Sequence, residues 1–190
     1  MATAERTRMI EYLTTRATAL GPAEIRARVR AAISEFEAAI AGLAEADARA
    51  HPVAGEWSVT QVVDHLAQTN ARSADELRHL LAGRRPPGPP VYEALTSGAA
   101  GRAPWPELVD GLRAADADLD GVLADAVTAN PSEMVTARAI LVVTVSGPDG
   151  RATPDVWDAE LGWRAYALVQ RLHALDHRTQ VRTLRAALRR

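Results

Sequence analysis

The sequence predicts a mainly α-helical fold: a four-helix bundle with a short β-hairpin or extended insertion before the last helix. Three observations carry it. Apolar residues recur at steps of three and four through several long segments, proline and glycine break the chain between them, and one β-branched run interrupts the helical pattern.

Taken in order, residues 1–20 read as a short helix through Met9, Ile10 and Leu13, closed by Gly21-Pro22. From Ala23 to about Ala50, the residues Ile25, Val29, Ile33, Phe36, Ile40 and Leu43 form one face of an amphipathic helix, which His51-Pro52 ends. Ser58, with Gln61 three residues on, is a capping box that opens the next helix, carrying Val62, His65, Leu66, Leu77 and Leu80 to about Gly83. Residues 84–106 are rich in proline and glycine and read as a long loop, of the kind that serves as a lid or pocket wall.

A further helix follows from about Pro106 to Ala129 through Leu108, Leu112, Leu119, Val122 and Leu123, and Asn130-Pro131 closes it. Residues 132–156 change character: Ala139 to Val145 is β-branched and Ser-Gly-Pro-Asp-Gly (146–150) is a turn, so a hairpin is expected. The last helix is expected from Trp157 to about Leu188, with Leu161, Ala165, Leu168, Leu172 and Leu175 as its buried seam. The 190 residues are read as one domain, with 1–22 as an N-terminal extension.

Composition narrows the function. A net charge of -2 creates no field that would gather phosphate backbones, so nucleic acid is not an expected partner. No cysteine is present, so a metal site must use nitrogen or oxygen. The N-terminus lacks the pattern of a signal peptide and no stretch is apolar enough to span a bilayer, which together predict a soluble, cytoplasmic protein with no membrane partner. All 22 basic residues are arginine, which reads as base-composition bias.

The histidines are the chemically distinctive residues. With Leu172 as the centre of the core face, His173 falls at about +100° and His177 at about +140° on a helical wheel, one turn apart on a shared flank where both could hold one ion. Alanine follows His173, so the general-base glutamate of a zincin helix is absent. Arg171, Arg178, Arg182, Arg185 and Arg189 fall on the opposite flank and read as a solvated stripe. His79 is about 21 Å along its helix from His65, too far to share an ion with it, and reads as exposed, like His51 at a helix end. His65 sits among Val62, Val63 and Leu66, where either a ligand role or a satisfied core histidine fits.

Gly-Glu-Trp-Ser-Val-Thr-Gln-Val-Val-Asp-His-Leu (55–66) resembles the Trp-Ser…His-Leu segment of the DinB-like superfamily, and Leu-His-Ala-Leu-Asp-His-Arg-Thr-Gln-Val (172–181) resembles its last-helix His-x-x-x-His-Arg-Gly-Gln motif. The resemblance implies a four-helix bundle in which His65, His173 and His177 bind a divalent metal, zinc or nickel. It also implies a metal-dependent transferase or isomerase that uses a low-molecular-weight thiol such as mycothiol or bacillithiol. Thr179 stands where glycine is usual, and residues 132–156 depart from the pattern.

The leading expectation is a metal-dependent thiol S-transferase acting on a small electrophilic substrate. A metal hydrolase or isomerase, and a non-catalytic bundle that captures a small molecule in an apolar groove beside the 84–106 loop, are the alternatives. Tyr166 and Gln180 fall on the histidine flank and are expected to line the pocket or bond a substrate, as supporting or boundary residues. Asp176 falls within the apolar seam, so it needs a partner, either a ligand imidazole or an arginine. Asp64 reads as a surface residue and Trp57 as a packing residue. A homodimer with the N-terminal segment as a contact is a further expectation.

Overall fold

The computed structural model describes residues 4–146 and 152–189, and the expected turn residues 147–150 lie outside them. Among the described residues there are six α-helices, α1 (Ala4–Ala19), α2 (Pro22–Ile40), α3 (Glu45–Arg49), α4 (Val59–Leu81), α5 (Trp105–Ala129) and α6 (Trp163–Leu188), with strands β1 (Ala137–Ser146) and β2 (Ala152–Leu161) before the last. Among the described residues, no helix is long and apolar enough to cross a membrane.

Four helices make the bundle. α2 packs on α5 and α6, and α4 packs on the same two. Contacts between named residues fix the directions. Arg178 and Arg185 of α6 meet Glu35 and the Ala39 carbonyl of α2 in the same order, so these helices are parallel. Arg26 and Glu37 of α2 meet Asp120 and Arg113 of α5 in reverse order, which makes that pair antiparallel. His65 and Glu76 of α4 meet His173 and Tyr166 of α6, also antiparallel.

It follows that α4 and α5 run the same way. A parallel neighbour cannot be reached through a tight turn, so the chain must travel back along α4 before α5 can begin. This is why residues 82–104 form a long connection, broken only by one 3-10 turn at Ala99–Gly101.

The helix starts and stops follow local chemistry. The Ser58 hydroxyl accepts from Gln61 N while the Gln61 side chain accepts from Ser58 N, the reciprocal box read from the sequence. Asn130, in the left-handed region at φ 42°, closes α5.

Two expected boundaries move. The helix expected over 23–50 stops at Ile40, because the chain turns at Gly42 with φ +70° and restarts as the short α3. The last helix begins at Trp163, not Trp157, because residues 157–161 belong to β2, which runs on to Leu161 instead of ending at 156. Trp157 lies opposite Leu141 and Leu161 opposite Ala137, all buried, while Asp158 and Glu160 between them are exposed. That is a period of two, which a helix cannot deliver.

The core face of α6 is also turned from the expected one. Its buried residues include Tyr166, Gln170, Ala174 and Val181, centred about 150° from Leu172 on the wheel and so on the histidine flank. Leu172 is only partly buried, against the cluster that includes α1 and the hairpin. α1 covers that side, with Tyr12 Oη accepting from Arg171 at 3.0 Å, so the N-terminal segment packs on the bundle. The arginine flank is accordingly not a uniformly solvated stripe, since Arg171, Arg178 and Arg185 are partly buried against α1 and α2.

Candidate metal centre

The turned face of α6 points His173 and His177 at α4. His173 Nε2 stands 3.0 Å from His65 Nε2 and 3.0 Å from His177 Nε2. The three rings meet edge to face with centroids 4.5–5.0 Å apart. Among the described residues they form a group whose donor atoms could hold a metal ion.

The hydrogen bonds behind the rings decide their tautomers. The Leu95 carbonyl can only accept, so His65 Nδ1 carries the proton that it donates at 2.9 Å. Glu56 Oε2 accepts from Gln180 Nε2 at 3.1 Å, which turns Gln180 Oε1 toward His177. That oxygen accepts from His177 Nδ1 at 2.8 Å. Two bare Nε2 lone pairs therefore face His173.

A neutral His173 has one proton and can satisfy at most one of them. A cation satisfies all three. Nitrogens held about 2.0–2.1 Å from one tetrahedral ion stand about 3.3 Å apart, a few tenths more than found here. The donor set, three imidazoles with no thiolate, fits a divalent ion such as zinc or nickel.

The site's electrostatics point the same way. Burial lowers the pKa of all three histidines, His173 well below the usual range, with the neighbouring imidazoles lowering it further. Neutral rings are the form that binds a metal. His173 Nδ1 is buried without a hydrogen-bond partner, so this ring is held by packing where the other two are tied.

Trp57 does pack, but against the site: its ring lies edge-on to His65 at 5.1 Å and parallel to His177 at 6.3 Å. Asp64 corrects its expected place on the surface. It is buried, accepting from Ser97 N at 3.1 Å and from Ser97 Oγ at 2.5 Å. Together with the Leu95 bond, this clasp straps the long connection onto α4 behind His65.

Of the expected supporting residues, Gln180 reaches a histidine and Asp176 does not. Asp176 is exposed, because the seam that contained it is not the core face. It reaches the site only through its field, which raises the pKa of His177 slightly against the larger effect of burial. Tyr166 is buried two turns from His173, its hydroxyl donating to Glu76 Oε2 at 2.5 Å. Burial and the Glu76 charge raise its pKa and keep it protonated.

His79 is half-buried in the last turn of α4 and His51 is exposed with Nδ1 3.2 Å from the Glu56 carbonyl; neither joins the cluster. A cleft of about 510 Å³ is lined by Arg49, His51, Trp57, Ser58, Asp64 and Thr96 among others. Its wall mixes polar and apolar side chains, and none of the three histidines lines it.

The sequence reading did not identify Leu95, Ser97 or Glu56. Leu95 acts through its backbone carbonyl, which no side-chain pattern reports. Ser97 and Glu56 act on partners 33 and 124 residues away, a distance that spacing cannot bridge.

The family described as the DinB superfamily matches residues 28–147, more than half of the chain. That span contains His65; His173 and His177 lie beyond it. No curated protein and no solved structure matches the chain.

Proposed function

From the premise that the chain belongs to the DinB superfamily, we propose that it is a divalent-metal-dependent enzyme, a thiol S-transferase acting on a small electrophile. The observation that carries the proposal is the meeting of three imidazole Nε2 atoms, two of them left bare by hydrogen bonds at Nδ1. Three protein ligands are the pattern of catalytic sites, which keep a position open, where closed structural sites use four. When bound, the ion would lower the pKa of a thiol in that position and supply a thiolate nucleophile near neutral pH.

The chain's own residues do the rest. Gln180 and the Leu95 carbonyl orient two rings, and Trp57 walls the site beside His65 and His177. The thiol is of low molecular weight, of the mycothiol or bacillithiol type, and zinc or nickel is the metal proposed.

Elemental analysis of purified wild-type and His65→Ala protein tests the site first. Wild-type protein is expected to hold about one ion per chain and the variant little. Incubation with zinc or nickel, a thiol such as mycothiol and a panel of electrophiles then tests the reaction. Thioether formation that needs both metal and thiol supports the proposal. Metal-dependent turnover without thiol overturns the transferase reading in favour of a hydrolase or isomerase, and absence of metal from wild-type protein overturns both.

A further inference from the structure

The buried apolar residues fall into two clusters. One joins α1, the hairpin, the start of α2, the far halves of α4 and α5 and the first half of α6 through Ile25, Leu77, Leu80, Leu119, Val122 and Leu168. The other joins α2 to the first halves of α4 and α5 and the end of α6 through Phe36, Val62, Leu66, Leu112 and Val181. Between them lie Asn70 and Ser73 of α4, Asp116 of α5 and Gln170 of α6, all buried, at the level just inward of His65 and His173. The bundle thus carries a polar layer across its middle, and the histidines stand at one edge of it.

Most of this layer is satisfied. Asn70 Nδ2 donates to Asp116 Oδ1 at 2.7 Å, and Tyr166, Glu76 and Arg72 close the next level down. Two atoms are not. Gln170 Oε1 and Thr69 Oγ1 are buried without any hydrogen-bond partner, and the Gln170 residue is only 7% exposed. Leaving such a group unpaired costs about 1–3 kcal/mol, so each calls for a partner.

Their heights agree. Thr69 is four residues past His65 and Gln170 three before His173 on antiparallel helices, so they lie about 6 Å and about 4.5 Å along the axis from the histidines.

We propose that Gln170 and Thr69 form a binding subsite for an amide- or hydroxyl-bearing segment of the molecule that engages the histidine centre. The segment donates to Gln170 Oε1 and accepts from the Thr69 hydroxyl. Glu76 is already paired with Arg72 and Asp116 with Asn70, so the segment is uncharged. The length between the two levels sets the substrate: a donor group three or four bonds from the atom held at the histidines. This rests on the metal-centre reading above, and the experiment separates the two.

N-acetylcysteamine carries a thiol and an amide at that separation, and 1-pentanethiol matches its length without the amide. Both are titrated into full-length ¹⁵N-labelled protein, with and without zinc, while the Gln170 side-chain amide signal is followed. The expected result is a saturable shift of that signal by N-acetylcysteamine and binding at least tenfold tighter than that of 1-pentanethiol. Gln170→Leu and Thr69→Val, both close in volume to the native residues, are each expected to remove most of that margin.

A Gln170 signal that stays in place at saturation, or a margin that survives both substitutions, overturns the subsite and leaves an ordered water as the partner of Gln170. Zinc content, measured on the same samples, decides the metal reading independently. The Gln170 signal decides the subsite in either metal state.

Discussion

His65 Nδ1 donates to the Leu95 carbonyl across 2.9 Å, joining a mid-helix histidine of the candidate centre to the connection that returns the chain along α4. The residue before His65, the buried Asp64, clasps Ser97 of the same connection. The long connection is therefore part of the site's scaffold, and its effect can be measured.

Ser97→Ala removes the hydroxyl that donates to the buried Asp64 carboxylate. Hydrogen bonds to charged groups contribute about 1.5–3 kcal/mol, so stability to urea is expected to fall by about that much. Zinc affinity in a competition titration is expected to weaken severalfold, because the strap behind His65 loosens. Unchanged affinity alongside lost stability would show that the Leu95 bond alone fixes the ring.

Gln180→Leu leaves His177 Nδ1 without its acceptor. Loss of such a partner behind a metal-binding imidazole typically costs 10–100-fold in affinity, and a loss in that range is expected here. The metal-free protein gives a second readout. ¹⁵N spectra of His177 are expected to show the Nδ1–H tautomer in wild-type protein and a mixture in the variant, with Glu56→Ala intermediate.

Acid is expected to destabilise the metal-free protein. All three histidines have pKa values lowered by burial, so the unfolded chain takes up protons before the folded one does. Their neutral forms are compatible with the fold at and above the usual histidine pKa of about 6.5. Stability is lost as pH falls below that value toward the lowered folded-state values. Denaturation midpoints measured between pH 8 and 5 should show this, and His173→Phe should flatten the dependence.

Asp116 acts in the opposite sense. Burial raises its pKa from 3.8 to about 6 against the lowering effect of the Asn70 hydrogen bond, and Glu37 adds to the rise. Below pH 4 it is protonated in both states and costs nothing. As pH climbs through that window, ionisation penalises the folded state by on the order of 3 kcal/mol. Asp116→Asn keeps an acceptor for Asn70 and is expected to raise stability at pH 7 by up to that amount. An unchanged or lowered midpoint in the variant would show that the carboxylate has a favourable partner at neutral pH.

The candidate site was legible only in part. His173 and His177 announce themselves by their spacing, and the segment around Trp57 brings in His65. Gln180 falls on their flank, yet its role as a support for His177 depends on Glu56, which no helical pattern connects to it. Asp176 was misplaced for a reason that applies to the whole of α6. The helix carries two apolar bands, one against the bundle and one beneath α1, and periodicity does not say which is the core face.

The sequence by itself determined the capping box at Ser58, the extent of α5, the presence of a hairpin before the last helix and the helical pairing of His173 with His177. These depend on residues within a turn or two of one another, where spacing and geometry are the same thing. Only the tertiary structure decided that α4 and α5 run parallel, that Asp64 and the Leu95 carbonyl stand behind His65, and that a polar layer divides the core. Those relationships join residues 30 to 120 positions apart, and burial and hydrogen-bond partnership across such distances exist only once the helices have packed.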